Sequence, residues 1–250
     1  MPPDLDFLLM VALTFVLAGW VKGVVGMGLP TVAMGALGLL MPPVQAAALL
    51  VVPSLLTNLW QLLDGRDLLA LLRRLGVMML GVSVGTALAI GFLTSGSARW
   101  PAIALGSVLA LYALAGLFLP RLSVPLRLQP MLSPLVGLLT GLLTGATGVF
   151  VVPAVPYLSA IGLSKDELIQ ALGLSFTVST VALAASLVAA GSYSSAIATQ
   201  SALAVLPALA GMLLGQSVRH RLNADIFRKC FFSAMAMVGL FLVARAASQG

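Results

Sequence analysis

From Leu168 to Val218 the chain contains no Asp, Glu, Lys or Arg, and neither do Gly23–Leu63 and Leu128–Ser164. No water-facing surface can be built from such stretches. Soluble domains carry about 25% charged residues, whereas this chain carries 8% against 60% hydrophobic residues. At about 20 residues per helical crossing, the Leu168–Val218 run alone accommodates two passes through a bilayer. The pattern describes an all-α, polytopic membrane protein with the lipid bilayer as its solvent.

The formal net charge of +6 would suggest nucleic acid in a soluble protein. Here the basic residues fall in short loops between apolar segments, where the positive-inside bias gathers them, so no nucleic-acid partner is expected. A single cysteine, Cys230, excludes an internal disulfide and a multi-cysteine metal site. The start, MPPDLDF, lacks the basic n-region of a cleaved signal peptide.

Apolar segments fall at 7–40, 44–63, 75–93, 101–119, 131–161, 168–190, 198–217 and 230–247. Six match one crossing. The segments 7–40 and 131–161 are too long for one crossing and short for two, and each carries an internal Gly/Pro break. Such a segment is either a re-entrant hairpin or a crossing followed by a half-helix.

The two long segments also resemble each other. Gly19, Gly23 and Gly26 recur as Gly141, Gly145 and Gly148; Pro30 recurs as Pro153 and Gln45 as Gln170. Three further apolar segments follow each copy. The chain therefore reads as two tandem units, 1–122 and 123–250, together forming one domain.

Loop charge discriminates between topologies. With eight simple crossings the Arg and Lys residues other than Lys22, which lies inside segment 7–40, divide six to six between the two faces. If 7–40 and 131–161 return to their starting side, Arg66, Arg73, Arg74, Arg121, Arg127, Lys165, Arg219, Arg221, Arg228 and Lys229 share one face, leaving only Arg99 and Arg245 opposite. The positive-inside rule favours the second arrangement, in which the repeats are inverted and both termini face outward.

Three groups of residues stand out within the apolar segments. Lys22 lies beside the first break with apolar residues or glycine on either side; it either snorkels to the interface or supplies charge to a ligand pathway. Its counterpart in the second unit is Thr144. The paired breaks expose backbone amides, which suit an anion. After each break come uncharged polar residues: Gln45, Ser54, Thr57, Asn58 and Gln61 in one unit, Gln170, Ser175, Thr177 and Ser179 in the other. These either donate to oxyanion oxygens or bond neighbouring helices. Three further glycine pairs, Gly81/Gly85, Gly137/Gly141 and Gly211/Gly215, suit close helix packing.

Enzymatic readings find little support. His220 lies in a basic loop, no metal-ligand cluster is visible, and GVVGMG follows no strand. No enzyme activity and no cofactor are expected, and no carboxylate within the apolar segments suggests a proton relay or a strong sodium site.

WVKGVVGMGLPTVAM with PPVQAAALLVVPSLLTNLWQ, and LLTGATGVFVVPAVPYL with LIQALGLSFTVST, resemble the sulfite exporter TauE/SafE family of membrane permeases. The resemblance spans nearly the whole chain. It implies a multi-pass transporter in a cell membrane of the bacterial inner-membrane type, exporting small sulfur-containing or organic anions such as sulfite or sulfonates. On matching motif positions it implies that Gly23, Gly26, Gly28 and Pro30, with Gly145, Gly148 and Pro153, belong to the substrate site. Lys22, Gln45, Asn58, Thr147, Gln170, Ser175 and Ser179 complete the candidate set. A coupling ion is compatible with this reading, and the oligomeric state is left open. An anion channel and a non-transporting membrane assembly partner are the competing readings.

Overall fold

In a computed structural model the described residues are 5–118 and 123–248, and every regular element among them is helical. The order is α1 (Leu5–Val25), α2 (Leu29–Leu40), α3 (Pro43–Leu63), α4 (Leu68–Leu93), α5 (Arg99–Phe118), α6 (Gln129–Thr147), α7 (Ala154–Ala160), α8 (Lys165–Ala189), α9 (Ser195–Leu203), α10 (Val205–Val218) and α11 (Ala224–Ser248). Eight stretches are long and apolar enough to cross a membrane, α9 and α10 together forming one of them. Large apolar side chains such as Leu80, Leu88, Leu111 and Leu213 are exposed on the outside, as lipid-facing positions require.

Both long segments divide unequally. The 21 residues of α1 span about 31 Å, enough for a bilayer core, whereas the 12 residues of α2 span about 18 Å. Glycine seams give the directions. Gly19 meets Ala208 and Gly23 meets Met212 and Gly215, so α1 runs parallel to α10. Gly28 faces Phe231, Gly35 faces Met235 and Val238, and Gly38 faces Leu242, so α2 runs parallel to α11. Because the chain turns back between α10 and α11, α2 returns along the direction from which α1 came. The segment is thus a long arm followed by a shorter returning arm.

The backbone explains where the arms separate. Gly26 and Gly28 adopt left-handed conformations, φ 78° and 105°, which halt α1 at little steric cost. Pro30 opens α2, where its missing N–H leaves no intrahelical bond unmade. Gly148 terminates α6 in the same left-handed conformation, φ 73°. Thr147 donates from its hydroxyl to the Leu143 carbonyl at 2.7 Å and accepts from the Val149 amide at 3.2 Å, capping this second break.

The helix contacts recur with partners exchanged between halves. The seam of α1 on α10 has its counterpart in α6 on α4, where Gly137 and Gly141 meet Gly81 and Gly85 through backbone contacts. The glycine pairs read from the sequence as packing sites do pack. α5 and α11 cross at Gly106 and Gly239, each of which leaves room for the other's carbonyl. At the centre α3 lies antiparallel to α8. The Gln61 side chain donates to the Ile169 carbonyl and the Gln170 side chain to the Leu62 carbonyl, both at 2.9 Å.

Arginines hold the outer ends of both short arms. Arg245 of α11 donates to the Leu39 carbonyl at 2.7 Å, and Arg74 of α4 donates to the Ile161 carbonyl at 2.8 Å. Leu39 and Ile161 are separated by the same interval as Gly19 and Gly141. Two guanidinium groups from different helices therefore each satisfy a carbonyl at the end of a short helix, where a cation also complements the helix dipole.

Candidate functional site

Lys22 is the only charged side chain among the buried residues described, with 4% of its surface exposed. It is not snorkelling along a lipid-facing surface. Its ammonium donates to the Thr57 hydroxyl at 3.1 Å and to the Asn58 side-chain carbonyl. Thr57 is free to accept because its own proton goes to the Pro53 carbonyl at 2.8 Å. Asn58 donates in turn to Thr180 at 3.4 Å, and Thr180 donates to the Phe176 carbonyl at 2.7 Å. One hydrogen-bonded chain thus links α1, α3 and α8.

No acidic side chain is among the partners of Lys22. A lysine at membrane depth costs about 2.5–3.5 kcal/mol on insertion scales, and hydrogen bonds to a charged group return about 1.5–3 kcal/mol each. Two neutral partners therefore hold the ammonium near break-even and leave its charge uncompensated. Such a cluster is suited to an anion.

The remaining candidate residues separate into distinct environments. Ser175 and Ser179 of α8 are fully buried, and their hydroxyls have no hydrogen-bond partner; the same is true of Ser54 on α3. Phe176, between the two serines of α8, packs on Phe150 of the second break with ring centroids 5.4 Å apart. The stretch 175–180 thereby reaches from the second break to the Lys22–Asn58 chain.

Other positions serve the scaffold. Gly23 faces the backbone of α10 and Gly145 that of α4, both within helical seams rather than in the breaks themselves. Gly148 packs closely on Met34 and Ala47, whereas a side chain at Gly26 would meet nothing within 4 Å. The two breaks are thus unequal, the second closed and the first partly open. Pro30 is buried in the first turn of α2, and Pro153 precedes α7.

The two sequence-matched glutamines also diverge. Gln170 is buried, donating to Leu62 and accepting from the Asp67 amide at 2.9 Å, with Gly65 leaving room for it. Gln45 is exposed at the start of α3. Neither glutamine is brought to Lys22. Thr180, which sequence reasoning did not single out, is brought there through Asn58. Its only sequence signal is a hydroxyl at membrane depth beside Ser179, shared with several threonines that merely bond their own helix.

Among the described residues, eight apolar helical stretches of membrane-crossing length around a buried polar cluster define a multi-pass membrane protein. The family model for the sulfite exporter TauE/SafE matches residues 11–242. The chain belongs to that family of membrane transporters. No curated protein and no solved structure shows significant similarity to it.

Proposed function

We propose that this transporter moves small sulfur-containing or organic anions, such as sulfite or sulfonates, out of the cell by alternating access. The observation that carries this reading is Lys22, buried without an acidic partner and hydrogen-bonded to Thr57 and Asn58. The substrate would bind between the two glycine breaks, with Lys22 supplying the countercharge. A membrane potential negative inside favours expulsion of an anion by about 2.3 kcal/mol per charge per 100 mV, so the potential alone can drive export, with or without a coupling ion.

We read the chain as two inverted repeats, 1–122 and 123–250, in a cell membrane of bacterial type with the arginine-rich loops facing the cytoplasm. The exchanged packing of α1 on α10 and α6 on α4 supports this, as do the matched carbonyls of Leu39 and Ile161. Alternating access would rock one repeat against the other around the α3–α8 pair.

The test is sulfite flux in liposomes containing the purified full-length protein, with Lys22→Ala as the comparison. The expected result is saturable flux that Lys22→Ala abolishes at unchanged protein abundance. Flux that does not saturate would indicate a channel. Normal flux in Lys22→Ala would overturn the proposed site.

A further inference from the structure

We infer that the site takes oxyanions bearing a single negative charge, with Lys22 balancing that charge and the hydroxyls of Ser54, Ser175 and Ser179 donating to the anion's oxygens. This rests on the anion-transport reading above. The charge argument begins with what surrounds Lys22. Its partners Thr57 and Asn58 are neutral, Asn58 passes its own bond to neutral Thr180, and no other buried residue described carries a charge. The cluster therefore supplies one positive charge. A monoanion is balanced there, whereas the second charge of a dianion would lie in a low-dielectric interior with nothing to offset it.

The hydroxyl argument is independent of the charge. The buried threonines Thr57, Thr144 and Thr180 bond the carbonyl four residues back at 2.7–2.8 Å. Ser54, Ser175 and Ser179, all three 0% exposed, have no partner, and among the buried threonines neither have Thr31 and Thr140. Buried hydroxyls without partners are uncommon because an unsatisfied polar group is costly. Ser54 and Ser179 are also repeat mates, separated by the same interval as Gln45 and Gln170. Ser54 lies one turn from Asn58 on α3, while Ser175 and Ser179 lie one turn apart on α8. Neutral donors on α3 and α8, the two helices that carry Asn58 and Thr180 of the Lys22 chain, suit an anion that is singly charged yet rich in oxygen acceptors. Hydrogensulfite and alkanesulfonates meet that description, while sulfate does not.

The experiment measures sulfite flux in liposomes carrying the full-length protein, with methanesulfonate or sulfate as competitor at neutral pH. Methanesulfonate is a monoanion and sulfate a dianion under those conditions. Methanesulfonate is expected to compete at a concentration at least tenfold lower than sulfate. Ser54→Ala and Ser179→Ala are each expected to raise the KM for sulfite severalfold. Because each removes a hydroxyl that has no protein partner, the melting temperature should stay level or rise. An unchanged KM in both serine variants would overturn their assignment. Equal or stronger competition by sulfate would overturn the single-charge assignment while leaving Lys22 as the anion's partner. Normal flux in Lys22→Met would instead remove the anion site altogether.

Discussion

The Ser201 hydroxyl donates to the Leu49 carbonyl at 2.8 Å and accepts from the Val52 amide at 3.0 Å. Leu49 is the residue four before Pro53, which has no N–H to offer, so its carbonyl is orphaned within α3. A serine from α9 in the other half fills the gap. Ser201 is fully buried, and its truncation leaves an unsatisfied carbonyl costing about 1–3 kcal/mol. Ser201→Ala should lower the melting temperature in detergent. Pro53→Ala, added to Ser201→Ala, should recover much of the loss by restoring the missing amide. A double-mutant cycle without coupling would show that Ser201 is not stapling the proline.

The arginines on the short arms support a second expectation. Arg245 bonds the end of α2, Arg74 the end of α7, and each helix is too short to be stable alone. Arg245 is exposed, so its contribution is on the order of 1 kcal/mol at most. Arg245→Gln should accelerate amide hydrogen exchange in residues 29–40 and leave α7 unchanged; Arg74→Gln should do the reverse. Exchange that rises uniformly would mean global destabilisation rather than local release.

The glycines divide into those that permit contact and those that do not. A methyl group at Gly23 or Gly141 would run into the opposing carbonyl of Met212 or Val82, with backbone on both sides. Overpacking of that kind costs about 1–3 kcal/mol, occasionally more. Gly91, in the helical interior of α4, has nothing within 4 Å of an added methyl. Gly91→Ala should therefore stabilise by about 0.4–1 kcal/mol, while Gly23→Ala and Gly141→Ala destabilise. Thermal unfolding in one detergent compares all three.

Much of this arrangement was legible in the sequence because bilayer physics is strict. Charge-free runs such as Leu168–Val218 can only be helices in lipid. What the spacing did not convey is which side of each helix a residue faces. Gly23 and Gly145 belong to the repeated glycine motif, yet they face α10 and α4, and the left-handed breaks follow at Gly26, Gly28 and Gly148. Gln45 and Gln170 match in sequence and differ in burial, because only Gln170 meets the turn at 64–67. Arg245, an outlier in the loop-charge pattern, is where it is because the α2 carbonyls need a donor. Ser201 had no sequence signal, since the carbonyl that it satisfies belongs to a distant helix.

Asn58 offers the sharpest separation of stability from function. Its side-chain oxygen already accepts from the Lys22 ammonium. Asn58→Asp keeps the shape of the side chain and converts that neutral acceptor into a carboxylate. A buried ion pair then compensates Lys22 internally, while the amide bond to Thr180 is lost, because the Thr180 hydroxyl proton is held by the Phe176 carbonyl. Burying the new carboxylate carries its own desolvation cost, which the attraction to Lys22 offsets, so the melting temperature should change little. An anionic substrate, however, must now compete with a covalently tethered carboxylate at very high effective concentration. Sulfite flux should fall at least tenfold at unchanged abundance. Asn58→Leu makes the complementary case: it removes the acceptor, leaves the ammonium with Thr57 alone, and should cost about 1–3 kcal/mol of stability. If Asn58→Asp transported like the unmodified protein, the positive charge of Lys22 would have no part in drawing the anion in.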